Sequence, residues 1–306
     1  MIQRLIFALF LAVSAGGFAA STEALAETDE SIPEPTHEEL IKDWRFHRHE
    51  RLSSEDGWLT LVGLEWLQEG ENRVGSRSPR TIRMPGGPVD WGTIFVDGND
   101  LKFVPAPGSD VTVNGEVVTE ATLVADTLGE PTIVQSGNLS FYVIFRESYA
   151  VRIKDSQASA LKEFSGVKNY DIKEDWRYNA RFIPAEEGQK IEIANVLGQL
   201  SPSAVYGYVE FERDGETYRL LGLGNENSIA LWFLFADRTS GRETYGAGRF
   251  LYSDGMPRDG RLLIDFNKAY NPPCAFTAFA TCPLPLKENR LMLRIEAGEK
   301  NYGEHS

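Results

Sequence analysis

From Gly57 onward the apolar residues fall into short runs, and turn residues separate the runs. Asp97-Gly98, Asn114-Gly115, Ser136-Gly137-Asn138 and Asp214-Gly215 sit between such runs. Gly and Asn accept the positive φ that tight hairpin turns require. A chain punctuated this way leaves little room for long helices, and its segments pair as antiparallel strands. The spacing predicts strands at Trp58–Val62, Leu64–Leu67, Thr81–Met84, Thr93–Val96, Leu101–Val104, Val111–Val113, Glu116–Val118, Thr132–Gln135, Leu139–Arg146 and Tyr149–Lys154. They read as a β-sandwich domain over residues 57–155. The polar stretch Asp155 to Val167 marks the boundary. Strands resume at Trp176–Ile183, Lys190–Val196, Val205–Arg213, Glu216–Leu221, Ile229–Phe235, Tyr245–Tyr252, Arg261–Phe266 and Leu291–Glu296. Their near-consecutive hairpin order predicts a second antiparallel β-barrel or sandwich domain over residues 156–303. The fold class is all-β, preceded by one N-terminal helix.

Upstream of Gly57 the patterning differs. Arg4, the apolar run Leu5 to Val13 and the small-x-small sequence Ala24-Leu25-Ala26 have the form of a signal peptide over residues 1–26, cut after Ala26. The run is short for a transmembrane helix, and no second candidate follows, so no integral membrane segment is expected after cleavage. The expected location is periplasmic or secreted. Residues 27–56 read as an acidic linker, Glu27 to Pro35, followed by a helix. Thr36 and Glu39 form a capping box. Leu40, Ile41, Trp44 and Leu52 form the expected apolar stripe, with Lys42, Arg45, Arg48 and Arg51 covering the rest. His47 and His49 point about 200° apart on a helix, so with His37 they are expected on a solvated surface rather than around a metal. The formal charge of −14 disfavours nucleic acid and anionic membranes as partners, since both require a basic face.

Two segments concentrate polar side chains. The first is Asp237 to Arg249, DRTSGRETYGAGR. Its Asp237 and Ser240 suit a local turn. Arg249 and Tyr245 are expected on one strand face, and a strand arginine inside a barrel needs a carboxylate or an anion, which Glu243 or Asp265 could supply. The second is Asp265 to Arg290, DFNKAYNPPCAFTAFATCPLPLKENR, which holds both cysteines of the chain and four prolines. Each proline fixes its own φ and disfavours helix in the residue before it. Cys274 and Cys282 have seven residues between them, enough for a hairpin with facing sulfurs. A disulfide, two buried thiols, a reactive Cys274 and a metal pair are the alternatives, and an oxidising compartment favours the disulfide. A histidine-activated cysteine lacks a nearby base, because no histidine lies between His49 and His305. A serine triad lacks the G-x-S-x-G turn. Glu243 with Asp265 remains a carboxylate pair for acid–base chemistry. No metal or cofactor is predicted.

The two segments, with IEAGEKNYG after them and DGWLTLVGLEWLQEGENRVGS near Gly57 to Ser76, resemble the signature of a bacterial family of domains of unknown function, number 1684 in that series. The resemblance covers nearly the whole mature chain. It implies no established activity, substrate or cofactor. Relatives without a signal peptide that keep the cysteine segment imply a purpose beyond a disulfide, and the asparagines and prolines then suit a shaped pocket rim. Separately, Arg73-Val74-Gly75-Ser76, Thr81-Ile82 and Asn114-Gly115 resemble motifs of forkhead-associated domains, β-sandwiches that read phosphothreonine. Gly75 is followed by Ser76, and Gly86–Phe95 holds no serine-x-x-histidine, so this resemblance extends to topology and not to phosphopeptide binding.

The leading functional expectation is a binding protein for a small ligand or envelope component, with Tyr245, Arg249, Asn267, Tyr270 and Asn271 as ligand-binding residues. Two alternatives stand beside it. One is a hydrolase or transferase using Cys274, or Glu243 and Asp265 as acid and base. The other is a structural envelope module.

Overall fold

The computed structural model describes residues 34–77 and 82–303. The expected signal peptide, most of the linker, Thr81 and His305 lie outside the described residues. Among the described residues, no helix is long and apolar enough to cross a membrane.

The helix α1 (His37–Leu52) starts at the expected box. Thr36 Oγ1 accepts the Glu39 amide at 3.3 Å, and the Glu39 carboxylate accepts the Thr36 amide at 2.8 Å. His37, Ile41, Arg45, Arg48 and Leu52 recur at spacings of three or four and make up one face. Ile41 and Leu52 are buried, whereas Leu40 is 43 % exposed. The inward face is therefore mixed rather than an apolar stripe, and its polar members need buried partners.

Residues 61–155 form two packed sheets. Their strands are β1 (Leu61–Trp66), β2 (Gly70–Gly75), β3 (Ile82–Arg83), β4 (Gly92–Asp97), β5 (Asp100–Pro105), β6 (Thr112–Val113), β7 (Ala121–Thr122), β8 (Val134–Ser136), β9 (Leu139–Arg146) and β10 (Ser148–Asp155). One sheet has the order β1-β10-β9-β8-β6 and the other β3-β2-β4-β5-β7. Ile94 and Phe103 of the second meet Phe141, Val151 and Ile153 of the first in one core, with Trp91. Phe103 meets Phe141 edge-on at 5.7 Å between ring centres. One expected strand, Trp58–Val62, survives only in Leu61 and Val62, and another, Glu116–Val118, is absent. Trp58–Thr60 is a 3-10 turn leading into β1. Glu116–Val118 does not extend because Val113 and Glu116 exchange backbone hydrogen bonds across the Asn114-Gly115 turn. Asn114 has φ 49° and Gly115 φ 83°, the left-handed pair that the dipeptide predicts.

The remaining chain adds a short helix α2 (Ser159–Lys162) and a seven-stranded sheet. Its strands are β11 (Arg177–Pro184), β12 (Lys190–Ala194), β13 (Leu200–Arg213), β14 (Glu216–Leu223), β15 (Trp232–Phe235), β16 (Arg249–Tyr252) and β17 (Arg261–Asp265). The order is β16-β15-β14-β13-β11-β17, with β12 pairing the first part of β13. The sheet curls into a half-barrel, and the Asp254 amide just after β16 donates to Leu263 O of β17 at 2.9 Å. Phe211, Phe233, Phe235, Ile264 and Phe266 fill its core.

Two segments expected as strands are not. Tyr245–Gly248 is a turn closed by the Gly248 amide on Tyr245 O. Gly248 has φ 98°, and a Cβ there would lie 2.5 Å from Phe235 O, so only glycine lets this turn approach β15. Leu291–Glu296 pairs only briefly with the chain after β15, Leu291 N–H donating to Ala236 O at 2.8 Å and Arg238 N–H to Leu293 O at 2.9 Å, before the Asp237 carboxylate takes the Ile295 amide at 2.7 Å. From Thr36 onward the chain clusters as one compact unit. The loop between the cysteines helps join its parts. Arg152 of β10 donates to Thr281 Oγ1 at 2.9 Å, and Ala275 and Phe276 pack with Leu52 and Leu59.

Candidate functional site

The signature residues fall into three buried networks, and each network ties irregular backbone to a regular element. Arg249, on β16, is fully enclosed. It donates to the carbonyls of Ala297 at 2.5 Å, Ile295 at 2.9 Å and Glu299 at 3.3 Å. Its carboxylate partner is Asp237 at 3.4 Å, not Glu243 or Asp265 as the sequence suggested. Asp237 sits in the expected turn and also holds Thr239 Oγ1 at 2.9 Å. Burial pushes the Arg249 guanidinium pKa down, and Asp237 opposes that shift. Arg249 thus anchors the C-terminal segment.

The second network reaches α1. His37 Nε2 lies 2.6 Å from Asp265 Oδ2, while Asp265 Oδ1 accepts the Asn267 amide at 3.0 Å and Asn267 Nδ2 at 2.8 Å. Asn267 then pairs with both backbone groups of Lys173, accepting its N–H at 3.0 Å and donating to its C=O at 2.8 Å. His37 is 11 % exposed and Asp265 1 %, which corrects the expectation of a solvated histidine.

The third network centres on Glu299, whose side chain is 1 % exposed. Its oxygens accept Arg48 Nε at 2.9 Å and the Asn271 amide at 2.6 Å. Arg48 also donates to Asn271 O at 2.9 Å, and its guanidinium lies 4.8 Å from the Tyr270 ring centre. Asn271 Nδ2 donates to Lys300 O at 2.8 Å. Tyr270 stacks on Tyr252 at 6.3 Å, and burial, followed by the charge of Tyr252, pushes its phenol pKa up.

Glu243 stands apart from these networks. It accepts Tyr170 OH at 2.6 Å and Arg294 at 2.6 Å. The Tyr170 bond and then the Arg294 bond hold its carboxyl pKa below the usual range. Glu243 and Asp265 therefore bond to different partners, with neither an ion pair nor a hydrogen bond between them. Cys274 and Cys282 are disulfide-bonded, and each sulfur accepts the other residue's amide, at 3.0 and 3.2 Å. Tyr245 OH donates to Cys274 O at 3.1 Å. In this state Cys274 has no thiolate to offer as a nucleophile. Asn267, Asn271 and Arg249 are enclosed, so they hold backbone together rather than line an open rim.

A cleft does open beside these networks, between α1 and residues 164–169, with a volume of about 280 Å³. Arg45, Arg48 and His49 of α1 line it, facing Phe164, Asn169 and Glu299. His49 stacks on Phe164 with ring centres 5.1 Å apart. Arg45 donates to Tyr170 O at 3.0 Å, but its Nε is buried without a partner, as is Asn169 Oδ1. Burial pushes the Arg45 pKa down, while Glu299, Asp171 and Asp265 oppose the shift. Two of the residues that line the cleft, Arg45 and Asn169, therefore each hold a buried polar atom without a partner.

Sequence reasoning placed Arg45 and Arg48 on the solvent side, gave Asp237 only a turn role, and did not single out Glu299 or Asn169. The four-four-three-four spacing from His37 to Leu52 was the available signal, because it puts two arginines on the face that carries Ile41 and Leu52.

These features define a mostly β protein whose N-terminal helix is held over a half-barrel by a buried ion pair and a buried His–Asp hydrogen bond. Residues 162–300 match the family described as protein of unknown function, DUF1684. The motif at Gly57 to Ser76 lies outside that match. No curated protein is similar to the chain at a significant level. An uncharacterized protein of Haloarcula marismortui, known from a solution NMR structure, is 28 % identical, with 47 % of this chain and 80 % of that one covered and a TM-score of 0.40. An FHA domain, from work on phosphothreonine-dependent FHA interactions, is 20 % identical, with 31 % and 96 % covered and a TM-score of 0.22.

Proposed function

We propose that this protein is an exported, two-domain β protein that binds a small ligand or envelope component in the cleft beside α1. The observation that carries the reading is that two residues lining one cavity, Arg45 and Asn169, each keep a buried polar atom without a partner, Nε and Oδ1. An unsatisfied buried polar group costs about 1–3 kcal/mol, and a ligand supplying an acceptor and a donor would recover both. The cavity volume of about 280 Å³ is close to the roughly 300 Å³ at which ligand pockets begin. Phe164, His49 and Leu52 supply apolar walls. The chemistry suits a compact molecule with a carboxylate or carbonyl for Arg45, a hydroxyl or amine for Asn169, and an apolar body. The signature residues then act behind the cleft: Asn271 and Tyr270 hold Arg48 and Glu299 in place.

The test is a ligand-observed NMR screen of small hydroxy acids, amino acids and amides against the purified protein, repeated with Arg45→Met and Asn169→Leu. Hits lost in both variants support the cleft. A screen with no hit dependent on either residue, together with unchanged or raised stability of both variants, would sink the reading. Export rests on the residue pattern of 1–26, and the disulfide fits an oxidising compartment. N-terminal sequencing of the secreted product should begin at Glu27, and retention of Met1 would overturn that part.

A further inference from the structure

A second cavity, which Arg48 also lines, opens at the C-terminal end of α1, with a volume of about 360 Å³. Arg51, Asp56, Trp58, Tyr142 and Lys154 line it. Lys154 Nζ donates to the backbone carbonyl of Asp56 at 2.6 Å and lies 5.3 Å from the Tyr142 ring centre. Arg51 makes no ion pair among the described residues. Directly behind the aromatic wall is Arg152, 4 % exposed. Its guanidinium lies 5.3 Å from the Trp58 ring centre and donates to Tyr142 OH at 3.4 Å and Thr281 Oγ1 at 2.9 Å, and its Nε has no partner. No carboxylate pairs with Arg152 among the described residues.

Buried arginines are ordinarily paired, because an uncompensated charge in a poorly solvated site is costly. Arg48 and Arg249 obey that rule here, through Glu299 and Asp237. Arg152 does not. The local charge decides what would compensate it. Arg51, Lys154 and Arg152 contribute three positive charges. Asp56 removes one, and the helix C-terminus contributes about half a negative charge. Part of that half charge is already met, since Ser53 Oγ donates to His49 O at 2.9 Å and Ser54 Oγ to Arg51 O at 3.0 Å. An excess of roughly one and a half positive charges remains, in a chain whose formal charge is −14. Burial lowers the Lys154 pKa, Asp56 opposes that shift, and Arg152 adds to it.

We propose that this cavity is an oxyanion site that takes a phosphate monoester, with Lys154 and Arg51 as its direct ligands and Arg152 supplying charge from behind Trp58 and Tyr142. A phosphate monoester carries about −1.5 to −2 at neutral pH, which matches the excess. A monocarboxylate would leave part of it uncompensated. The site is separate from the cleft that carries Arg45 and Asn169, so either can fail alone.

The test titrates the purified protein with inorganic phosphate and with phenyl phosphate, followed by calorimetry and by the Trp58 indole resonance, assigned with Trp58→Phe. Saturable binding that weakens as sodium chloride rises is expected. Lys154→Met should weaken it about tenfold or more and Arg51→Gln severalfold, the range for losing one charge-assisted hydrogen bond. Lys102→Met, which removes an exposed lysine paired with Glu120 on β5, should leave it unchanged. If Lys154→Met does not fold, Arg51→Gln carries the test, since Arg51 is exposed. Phosphatidic-acid vesicles form a second arm. Vesicle binding that Lys154→Met or Arg51→Gln abolishes supports the site and assigns the phosphate to a lipid headgroup. Absence of saturable binding to all three probes overturns the proposal, and so does equal binding by the wild type and both variants.

Discussion

Glu299→Gln is the substitution that most directly tests whether buried charge holds α1 to the half-barrel. Both carboxylate oxygens are in use, one on Arg48 Nε at 2.9 Å and one on the Asn271 amide at 2.6 Å. Glutamine keeps one acceptor and replaces the other with an NH₂, so a donor then faces Arg48 or Asn271. A hydrogen bond to a charged group contributes about 1.5–3 kcal/mol, and an unsatisfied buried donor costs about 1–3 kcal/mol. Breaking a buried pair from one side typically costs about 3–5 kcal/mol. Arg48 retains 12 % exposure and the Asn271 carbonyl, so the lower part of that range applies, about 3 kcal/mol. Urea unfolding followed by both tryptophan fluorescence and far-UV circular dichroism measures it, and coincidence of the two transitions checks two-state behaviour. Arg48→Met should cost a similar amount. The double variant should cost less than the two losses together, with a coupling of about 2 kcal/mol. A loss under about 1 kcal/mol for Glu299→Gln, or strict additivity with Arg48→Met, would refute the argument, because the pair would then carry no net interaction.

Two further outcomes follow from the same geometry. The disulfide closes a short loop, with the cysteines eight positions apart, for which loop entropy gives about 2.5 kcal/mol. Replacing Cys274 and Cys282 together by alanine should cost about 2 kcal/mol and speed amide exchange at the end of α1, where Phe276 meets Leu52. Alkylation before and after reduction, mapped by mass spectrometry, should show no free thiol in protein purified without reductant, and quantitative alkylation without reductant would contradict the structure. The phenols of Tyr170 and Tyr270 are both raised, chiefly by burial. The folded state then keeps protons that the unfolded state releases, so their contribution is present below about pH 10 and is lost as pH rises beyond it. Tyr270→Phe should flatten the alkaline limb of a stability–pH curve, and an unaltered limb would show that Tyr270 is not responsible for it.

Much of the architecture was legible because it rests on local signals. Asn114-Gly115 and Asp214-Gly215 took up left-handed turns where those dipeptides stood, and the capping box at Thr36 and Glu39 fixed the start of α1. The half-barrel's strand order was less accessible. The strand β11 lies between β13 and β17, and that neighbour choice depends on packing across the chain rather than on any turn. The site was read least well, for a specific reason. Arginine in a helix normally signals solvent, and only the unseen acids Glu299 and, for His37, Asp265 make the inward orientation of α1's polar residues tolerable. The spacing from His37 to Leu52 was visible, but the sequence does not show which residues stand opposite it.

The chemistry of the signature segment follows from what its backbone lacks. After β17 the chain forms no further strand among the described residues, yet much of it is buried. Buried peptide groups must still be paired. A carboxamide presents a donor and an acceptor side by side, as a neighbouring strand would. Asn289 uses this on Leu221, accepting its N–H at 2.7 Å and donating to its C=O at 3.0 Å, and it also donates to Leu234 O at 2.9 Å. Asn267 does the same to Lys173, while Asp237 and Glu299 accept lone amides at Ile295 and Asn271. The roles of Asn267, Asn289, Asp237 and Glu299 in this stretch are therefore accounted for by backbone pairing. That accounting also separates structure from candidate function. Asn271 Oδ1 and Arg249 Nε are unpartnered but line neither cavity. Arg45 and Asn169, each with one unpartnered buried atom, do line one cleft, and Arg152 lacks a carboxylate behind the wall of the other. Where a fold satisfies most of its buried polar groups with its own side chains, a residue left unsatisfied beside a cavity marks where an outside partner would be tested first.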